Sequence, residues 1–243
     1  MTNTQRIALV TGANKGIGFE IARQLKAAGV TIIVGARNGE RGETAATALS
    51  SADEQVAFIQ IDVTDAASIG AAAAEIEVRH GRLDILINNA GIVDAADGPP
   101  SVSDIDAVRR LMETNFIGAL SVTQAMLPLL RRAPAARIVN LSTTLGSLTI
   151  NGDPSSPYYE ARLIGYNASK AALNMLSVQL AAELAGSGIA VNAVAPGYVK
   201  TDLTGHAGYM SAEEGARLPV QYALLGADAV SGRFVAPDGE TPW

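Results

Sequence analysis

The sequence contains no cysteine and only two histidines among its 243 residues. Disulfide bonds, thiolate metal sites and thiol nucleophiles are therefore excluded, and because His80 and His206 are far apart in the chain we expect no metal centre. Positive charge is also scarce: the formal net charge is -6, and no run of Lys or Arg exceeds two residues. These features disfavour nucleic acids and anionic membrane surfaces as partners.

Long apolar runs are missing as well. The longest apolar windows are shorter than a membrane span, and the first residues are polar, without the apolar core of a signal peptide. We therefore expect a cytoplasmic protein. Hydrophobic residues make up 48% of the chain, enough for one substantial core, and no linker or repeat divides it. The sequence thus predicts a single domain over residues 1–243.

A glycine-rich segment follows the first predicted strand, at residues 7–10, and leads into a helical pattern. Gly12 and Gly16 permit backbone angles closed to other residues and let N–H groups approach a pyrophosphate, while Gly18 lets the helix pack close to the strand. Glycine-rich turns that bind no ligand are common. The interpretation as a ligand-binding turn therefore depends on the position of the segment between a strand and a helix. The segment predicts a dinucleotide-binding turn.

The second predicted strand, at residues 30–34, ends without the acidic residue that usually meets the adenosine ribose. Ala36 and Arg37 stand there instead, and Lys15 lies in the glycine segment. Two cations at this place match a 2′-phosphate, since Arg in particular fits phosphate geometry. The pattern favours NADP over NAD, and the alternative is that both cations are solvated surface charges.

Further strands are predicted at residues 56–61, 84–87, 137–141 and 189–194, with a short one near 234–235, and helical patterns lie between them. This alternation predicts an α/β fold, a Rossmann-type doubly wound parallel sheet of about seven strands with helices on both faces. Ligands bind at the carboxyl ends of such strands. Polar or small residues follow several strands there, namely Asp62, Asn88, Asn89, Ala90, Gly91, Ser142, Thr143 and Thr144.

One long helix is predicted over residues 104–130, with Pro128 marking where it bends or begins to end. Asn115 is a polar residue within its apolar stripe. A buried Asn needs hydrogen-bond partners, so it either ties the backbone together or holds an ordered water.

Tyr166 and Lys170 are four positions apart at the start of another predicted helix and therefore share one helical face. A free phenol has a pKa of about 10, and a fixed ammonium nearby would favour the phenolate. The pair is a candidate proton-transfer device. The same spacing also arises by chance as a solvated pair on many helices.

Taken together, the ordered motifs resemble the short-chain dehydrogenase/reductase family from end to end, and within it the carbonyl reductase branch. The resemblance implies that Tyr166 is the general acid, that Lys170 lowers its pKa and holds the ribose hydroxyls, and that Asn115 anchors a water in the proton relay. It also implies further cofactor contacts, in addition to the 2′-phosphate contacts of Lys15 and Arg37 given above. These are Gly12, Asn14, Gly16, Ile17 and Gly18 in the glycine segment for the pyrophosphate, and Asp62 and Val63 for the adenine. Asn89, Ala90 and Gly91 would contact the neighbouring ribose and backbone, and Pro196, Gly197, Val199 and Thr201 the nicotinamide carboxamide.

The sequence departs from the family pattern at the residue that orients the substrate. The family has Ser three positions before the Gly after strand five, and counting back from Gly146 gives Thr143. Thr keeps the hydroxyl but adds a methyl group, which restricts its rotamers. Ser142 is the alternative, and Thr143 is preferred because adjacent strand residues point to opposite faces. Tyr166 lies 23 positions after Thr143, a longer interval than in many family members.

The leading functional hypothesis is NADPH-dependent reduction of a ketone or aldehyde. The alternatives are an NAD-dependent alcohol dehydrogenase and a cofactor-binding sensor or scaffold that has lost catalysis. The family resemblance implies a homodimer or homotetramer through the helices at 104–130 and 166–185, whereas a lengthened segment at 151–162 would block that face and leave a monomer. A substrate loop is expected at about 198–217, with the glycine content of a mobile flap.

Overall fold

The computed structural model describes residues 5–52, 54–226 and 228–243, and these form one eight-stranded sheet with helices between the strands. The strands are β1 (Ile7–Thr11), β2 (Thr31–Ala36), β3 (Ala57–Gln60), β4 (Ile85–Asn88), β5 (Arg137–Leu141), β6 (Ala190–Val194), β7 (Arg233–Ala236) and β8 (Gly239–Glu240). The helices are α1 (Gly16–Ala27), α2 (Gly39–Leu49), α3 (Ala66–His80), α4 (Ile105–Met112), α5 (Gly118–Leu130), α6 (Leu148–Gly152), α7 (Ile164–Glu183) and α8 (Ala212–Ala223).

The sheet has the order β3-β2-β1-β4-β5-β6-β7-β8. All neighbouring strands from β3 to β7 are parallel, and β8 alone pairs antiparallel, with β7. The predicted doubly wound parallel sheet is therefore confirmed. The eighth strand exceeds the predicted number because the chain turns back after β7, so that Glu240 pairs with Val235 and Gly239 pairs with Ala236.

Two apolar cores lie on opposite faces of the sheet, because successive side chains of a strand alternate between its faces. Ile7 and Leu9 of β1 point into a core covered by α3, α5 and α7. Ala8 and Val10 point into the other core, covered by α1, α2 and α8. The central strands β1, β4, β5 and β6 are buried on both faces, which explains their largely apolar sequences.

The strand order reverses next to β1, which lies between β2 and β4. The connection from β1 leads outward to β2 and β3, and the chain then returns to form β4 on the other side. The turns that follow β1 and β4 therefore diverge and leave a crevice at the carboxyl ends of the strands. This crevice is the place where the predicted glycine turn and the asparagine segment meet.

The helix predicted over 104–130 is interrupted in the structure. A π-helical turn, Glu113–Ile117, separates α4 from α5 and contains Asn115. Single π-helical turns inside helices are frequent at functional sites. Pro128 lies inside α5, and the helix ends two residues later, at Leu130. The predicted helix end near Pro128 is therefore confirmed. Within the described ranges, no helix has the length and apolar character needed to cross a membrane.

Candidate active site

The turn from β1 to α1 is shaped by its glycines. Gly12 and Gly16 have φ angles of 66° and 59°, in the left-handed region that side chains disfavour. A Cβ atom at Gly18 would lie 2.4 Å from Asn89 Nδ2 and 2.7 Å from the Gly12 oxygen, so only glycine fits there. Lys15 precedes α1 and its side chain has no acceptor atom to cap the helix. The first N–H groups of α1 therefore face the turn, as an anion site requires.

Asn89 fastens this turn to the end of β4. Its Nδ2 atom donates to the oxygens of Thr11 and Gly12 at 2.8 and 3.2 Å. Thr11 Oγ1 in turn accepts the backbone N–H groups of Asn89 and Ala90 at 3.0 and 3.1 Å, and it donates to the Ile87 oxygen at 3.2 Å. The side chain of Asn89 is thus used to hold the glycine turn against β4.

Arg37 lies at the end of β2, exposed to solvent, where the 2′-phosphate contact was predicted. Nearby Asp62 accepts hydrogen bonds from the backbone N–H and the hydroxyl of Thr64 at 2.9 and 2.7 Å. These two bonds, with a smaller contribution from the charge of Arg37, hold the pKa of Asp62 below its usual value. Val63 packs against Gly118, where a Cβ atom would lie 2.9 Å from Val63 Cγ2.

Lys15 does not join Arg37 in this structure. It forms an ion pair with Asp202 in the loop after β6, and both side chains are 59% exposed. Asp202 also contacts His206 Nε2 at 3.0 Å. The hydrogen bond from Lys15 is the largest of the effects that lower the pKa of Asp202. A phosphate contact by Lys15 therefore has to compete with this carboxylate.

Tyr166 is the third residue of α7, in the first turn as predicted, and Lys170 follows one turn later. Lys170 is 5% exposed, and its Nζ atom donates to the Leu141 oxygen at 2.7 Å and lies 6.0 Å from the centre of the Tyr166 ring. Burial raises the pKa of Tyr166 to about 12 and lowers that of Lys170 to about 8. Burial is the cause of this rise in the pKa of Tyr166, and a lowering of that pKa by Lys170 stays a prediction. A phenol with that pKa retains its proton at neutral pH and is a proton donor.

Asn115 ties the backbone together, which was the first of its two predicted roles. Its Oδ1 accepts the N–H of Ile92 at 2.8 Å, and its Nδ2 donates to the Ile92 oxygen at 3.0 Å and to Ser169 Oγ at 3.0 Å. Ser169 Oγ donates onward to the Tyr166 oxygen at 2.7 Å. The buried amide thus connects the segment after β4 to the first turn of α7.

The two hydroxyls after β5 have different surroundings. Ser142 is 4% exposed and donates to Asn174 Oδ1 on α7 at 2.6 Å. Thr143 is half-buried, and its Oγ1 accepts the N–H of Leu145 at 3.3 Å, which leaves the hydroxyl proton of Thr143 to be donated elsewhere. The geometry favours Thr143 over Ser142 as the group that meets a substrate.

The loop after β6 folds back on itself. Val199 forms a bridge with Met210, and the Lys200 N–H donates to the Met210 oxygen at 2.8 Å. Val199 is 2% exposed, and its side chain packs against α8, where a Cβ atom at Gly215 would lie 2.5 Å from Val199 Cγ2. Thr201 Cγ2 lies 3.5 Å from the position of a Cβ atom at Gly16, which places this loop beside the glycine turn.

Gly91 lies next to two of the predicted catalytic residues. A Cβ atom at Gly91 would lie 3.3 Å from Asn115 Oδ1 and 3.6 Å from Lys170 Nζ. The segment that Asn89 fastens to the glycine turn therefore also contacts the Asn115 and Lys170 side chains. Asn14 and Ile17 lie half-buried in the same glycine turn.

Comparisons with known proteins identify the family and the fold. The family model described as short chain dehydrogenase matches residues 6–211. The chain belongs to this family.

The (-)-isopiperitenone reductase of Mentha piperita is 33% identical over 310 residues, covering 98% of each chain. Carbonyl reductase (NADPH) 1 of Sus scrofa is 35% identical over 282 residues, covering 100% of this chain and 96% of that protein. The NADPH-bound carbonyl reductase from chicken fatty liver has a TM-score of 0.86 at 31% identity, covering 98% and 99% of the two chains. The predicted family is thus confirmed.

Sequence reasoning missed several residues that hold the site of this short-chain dehydrogenase together. Thr11 is a polar residue at the end of an apolar strand, and that contrast was a usable signal. Asn174 lies four positions after Lys170, on the same helical face, and its Nδ2 donates to the Gly146 oxygen at 3.2 Å. Ser169 gave no signal of its own, because its role depends on Asn115, which is 54 positions away.

Proposed function

We propose that the protein is an NADPH-dependent reductase that converts a ketone or an aldehyde into an alcohol. The observation that carries this proposal is Tyr166 in the first turn of α7, with the Nζ atom of the buried Lys170 at 6.0 Å from its ring centre and bonded to the Leu141 oxygen at the carboxyl end of β5. Gly91, in the segment fastened to the glycine turn, lies against Lys170. A proton donor and a dinucleotide-binding turn therefore meet in one crevice.

The residues present fit a dinucleotide. The left-handed Gly12 and Gly16, the lack of room for a Cβ atom at Gly18 and the start of α1 form a cradle for a pyrophosphate. Arg37, at the end of β2, would bind a 2′-phosphate. Two relatives, the NADPH-named reductase of Sus scrofa and the NADPH-bound chicken reductase, support NADPH as the cofactor. Further contacts are proposed for Asp62 and Val63, for Asn89, Ala90 and Gly91, and for Pro196, Gly197, Val199 and Thr201.

Bound NADPH would supply the hydride for the carbonyl carbon. Thr143 donates a hydrogen bond to the carbonyl oxygen, and Tyr166 supplies the proton that this oxygen takes up as it becomes an alcohol. Lys170 carries a positive charge below a pH of about 8 and stabilises the phenolate that Tyr166 leaves behind. Asn115 holds the first turn of α7 through Ser169, and its part in a water relay stays a prediction.

The proposal is tested by following NADPH oxidation with a panel of ketones and aldehydes. The Tyr166→Phe variant removes only the proton donor, so we expect a loss of about 100-fold or more in kcat for any substrate that turns over. Tyr222→Phe, on α8 at the other face of the sheet, is the matched control and should keep full activity. A wild-type protein without turnover, or a Tyr166→Phe variant as active as the control, would contradict the proposal.

We further propose that two copies associate through α5 and α7. A groove between these helices has a largely apolar lining of Leu120, Leu127, Leu176 and Leu180, flanked by polar residues. The segment before Tyr166 is attached to the first turn of α7, where Asn167 Nδ2 donates to Asn151 Oδ1 and to the Ala161 oxygen. The groove lies farther along the helix. Light scattering would return the mass of a dimer or tetramer, and a monomer mass would refute the association.

The single-domain organisation of residues 1–243, with a substrate loop at about 198–217, is proposed on the same basis. The one sheet described above supports it, because all eight strands belong to it and β1, β2, β4, β5 and β6 each contribute to both cores. A single cooperative unfolding transition is the expected result of thermal denaturation.

The cytoplasmic location stays a prediction, which fractionation of the source cells would check.

A further inference from the structure

The catalytic helix α7 begins without a capping side chain of its own. Leu163 occupies the residue before the helix and makes no side-chain cap, and the first backbone bond inside the helix runs from the Asn167 N–H to the Leu163 oxygen at 2.8 Å. The N–H groups of Ile164, Gly165 and Tyr166 therefore need acceptors from elsewhere. Tyr166 is among them, so whatever satisfies these groups contacts the backbone of the proposed proton donor.

A distant loop supplies all three acceptors. The Gly98 oxygen accepts from the Ile164 N–H at 3.1 Å. Asp97 uses both carboxylate oxygens: Oδ1 accepts from the Gly165 N–H and Oδ2 from the Tyr166 N–H, each at 2.9 Å. Asp97 is 69 positions before Tyr166 in the chain. A carboxylate at this end of a helix is also favoured by the helix dipole.

The Asp97 carboxylate is itself held in place. Its Oδ1 atom accepts from the Gly98 N–H at 2.9 Å and from Ser103 Oγ at 3.0 Å. Gly165 lets the helix pack closely against α4, because a Cβ atom there would lie 2.7 Å from Leu111 Cδ1 and 3.2 Å from Asp97 Oδ1. The first turn of α7 is therefore fixed between the carboxylate and α4.

The main chain of Tyr166 is held on both sides. Asp97 accepts from its N–H, whereas its oxygen accepts from Ser169 Oγ, which Asn115 in turn contacts. Side-chain direction in the first turn of a helix follows the backbone. A small shift of a reacting group costs a large factor in rate. The position of the Tyr166 hydroxyl therefore depends on the acceptors at both ends of this residue.

We propose that Asp97 is a positioning residue, which sets the place of Tyr166 by binding the N–H groups of Gly165 and Tyr166. It acts through the backbone of α7 and does not touch substrate or cofactor. This role rests on the proposed reductase function. It also assigns a purpose to the loop between β4 and α4, which supplies the cap that the sequence of α7 lacks.

The test compares Asp97→Ala and Asp97→Asn with Asp104→Ala. Asp104 is a matched control, since it caps the neighbouring helix α4 by accepting from the Ala107 N–H at 2.8 Å and, within the described residues, its side chain makes no hydrogen bond to α7. Asp97→Ala should lower kcat by about 10- to 100-fold, Asp97→Asn by less because one acceptor oxygen remains, and Asp104→Ala by less than about 2-fold. The NADPH dissociation constant should stay within about 3-fold in all three, since the glycine cradle is untouched.

Amide hydrogen exchange over residues 164–167 gives a second readout that does not need turnover. Asp97→Ala should exchange faster there than wild type, and Asp104→Ala should not. Equal kcat for Asp97→Ala and Asp104→Ala, or unchanged exchange at residues 164–167, would overturn the positioning role alone. An inactive wild type would overturn the reductase function together with it. Should Asp97→Ala fail to fold, Asp97→Asn decides: a lower kcat with unchanged NADPH affinity supports the role, and wild-type kcat refutes it.

Discussion

Ser142 donates its hydroxyl proton to Asn174 Oδ1 at 2.6 Å, in a buried contact between the end of β5 and α7. Asn174 Nδ2 donates to the Gly146 oxygen, and Lys170 Nζ donates to the Leu141 oxygen. These three bonds hold α7 against the end of β5. The hydroxyl proton of Ser142 is already donated to Asn174, so it is not available to a substrate. Thr143 is left as the hydroxyl that can donate to a substrate.

Thr143→Ala should therefore reduce kcat by about 100- to 1000-fold, as expected when a donor to a developing oxyanion is removed. Thr143→Ser keeps the donor and should retain activity. Ser142→Ala should keep most of kcat while lowering the free energy of unfolding by about 1–3 kcal/mol, since Asn174 Oδ1 loses its buried donor. Steady-state kinetics and urea denaturation measure both quantities. A larger kcat loss in Ser142→Ala than in Thr143→Ala would reverse the assignment.

The pH dependence of reduction should follow Lys170. Burial lowers the pKa of this ammonium to about 8, so it is charged below that pH and becomes neutral as the pH rises through it. The pKa of Tyr166, about 12, lies outside this window. We expect kcat/KM, which reports the free enzyme, to be constant at lower pH and to fall above a pH of about 8. Lys170→Arg keeps its charge, and its profile should be flat there. The same decline in this variant would exclude Lys170 as the cause.

Two Gly→Ala substitutions, one in the glycine turn and one on α3, should have opposite effects on the free energy of unfolding. A Cβ atom at Gly18 would lie 2.4 Å from Asn89 Nδ2, so Gly18→Ala should lower the free energy of unfolding by about 1–3 kcal/mol and weaken NADPH binding. Gly70 lies on the exposed side of α3 with no atom within 4 Å of its Cβ position. Gly70→Ala should stabilise the protein by about 0.5–1 kcal/mol. Denaturation curves and NADPH titrations that gave the two variants equal stability and affinity would contradict this account.

Arg37 should decide the choice of cofactor. Arg37→Ala removes the cation at the end of β2, and a lost charge-assisted hydrogen bond weakens NADPH binding by about 10-fold or more. Binding of NADH should change little, because NADH lacks the 2′-phosphate. Arg79→Ala, in the last turn of α3, removes an exposed Arg that pairs with Glu75 on its own helix and serves as the control. An unchanged ratio of the two dissociation constants in Arg37→Ala would refute the role of this residue.

The sequence by itself determined the order of strands and helices, the glycine turn, the Tyr166 and Lys170 pair and the family. These features depend on local patterns, because hydrophobic periodicity and glycine spacing act over a few residues. The strand ends could also be placed at one edge, since parallel strands share their direction. Element boundaries differed slightly: the second strand was predicted to end at residue 34, but β2 continues through Ala36, where it pairs with Gln60.

Only the tertiary structure showed which partner each polar side chain of the site binds. Ser142 and Thr143 are adjacent hydroxyls in the sequence, and the position of Asn174 on α7 separates them. Lys15 pairs with Asp202, 187 positions later, and Asp97 caps a helix that begins far along the chain. Burial, which sets the pKa values of Tyr166 and Lys170, also arises only when the sheet, α7 and the loops have packed together. Such contacts join segments that are distant in sequence, so no local pattern specifies them.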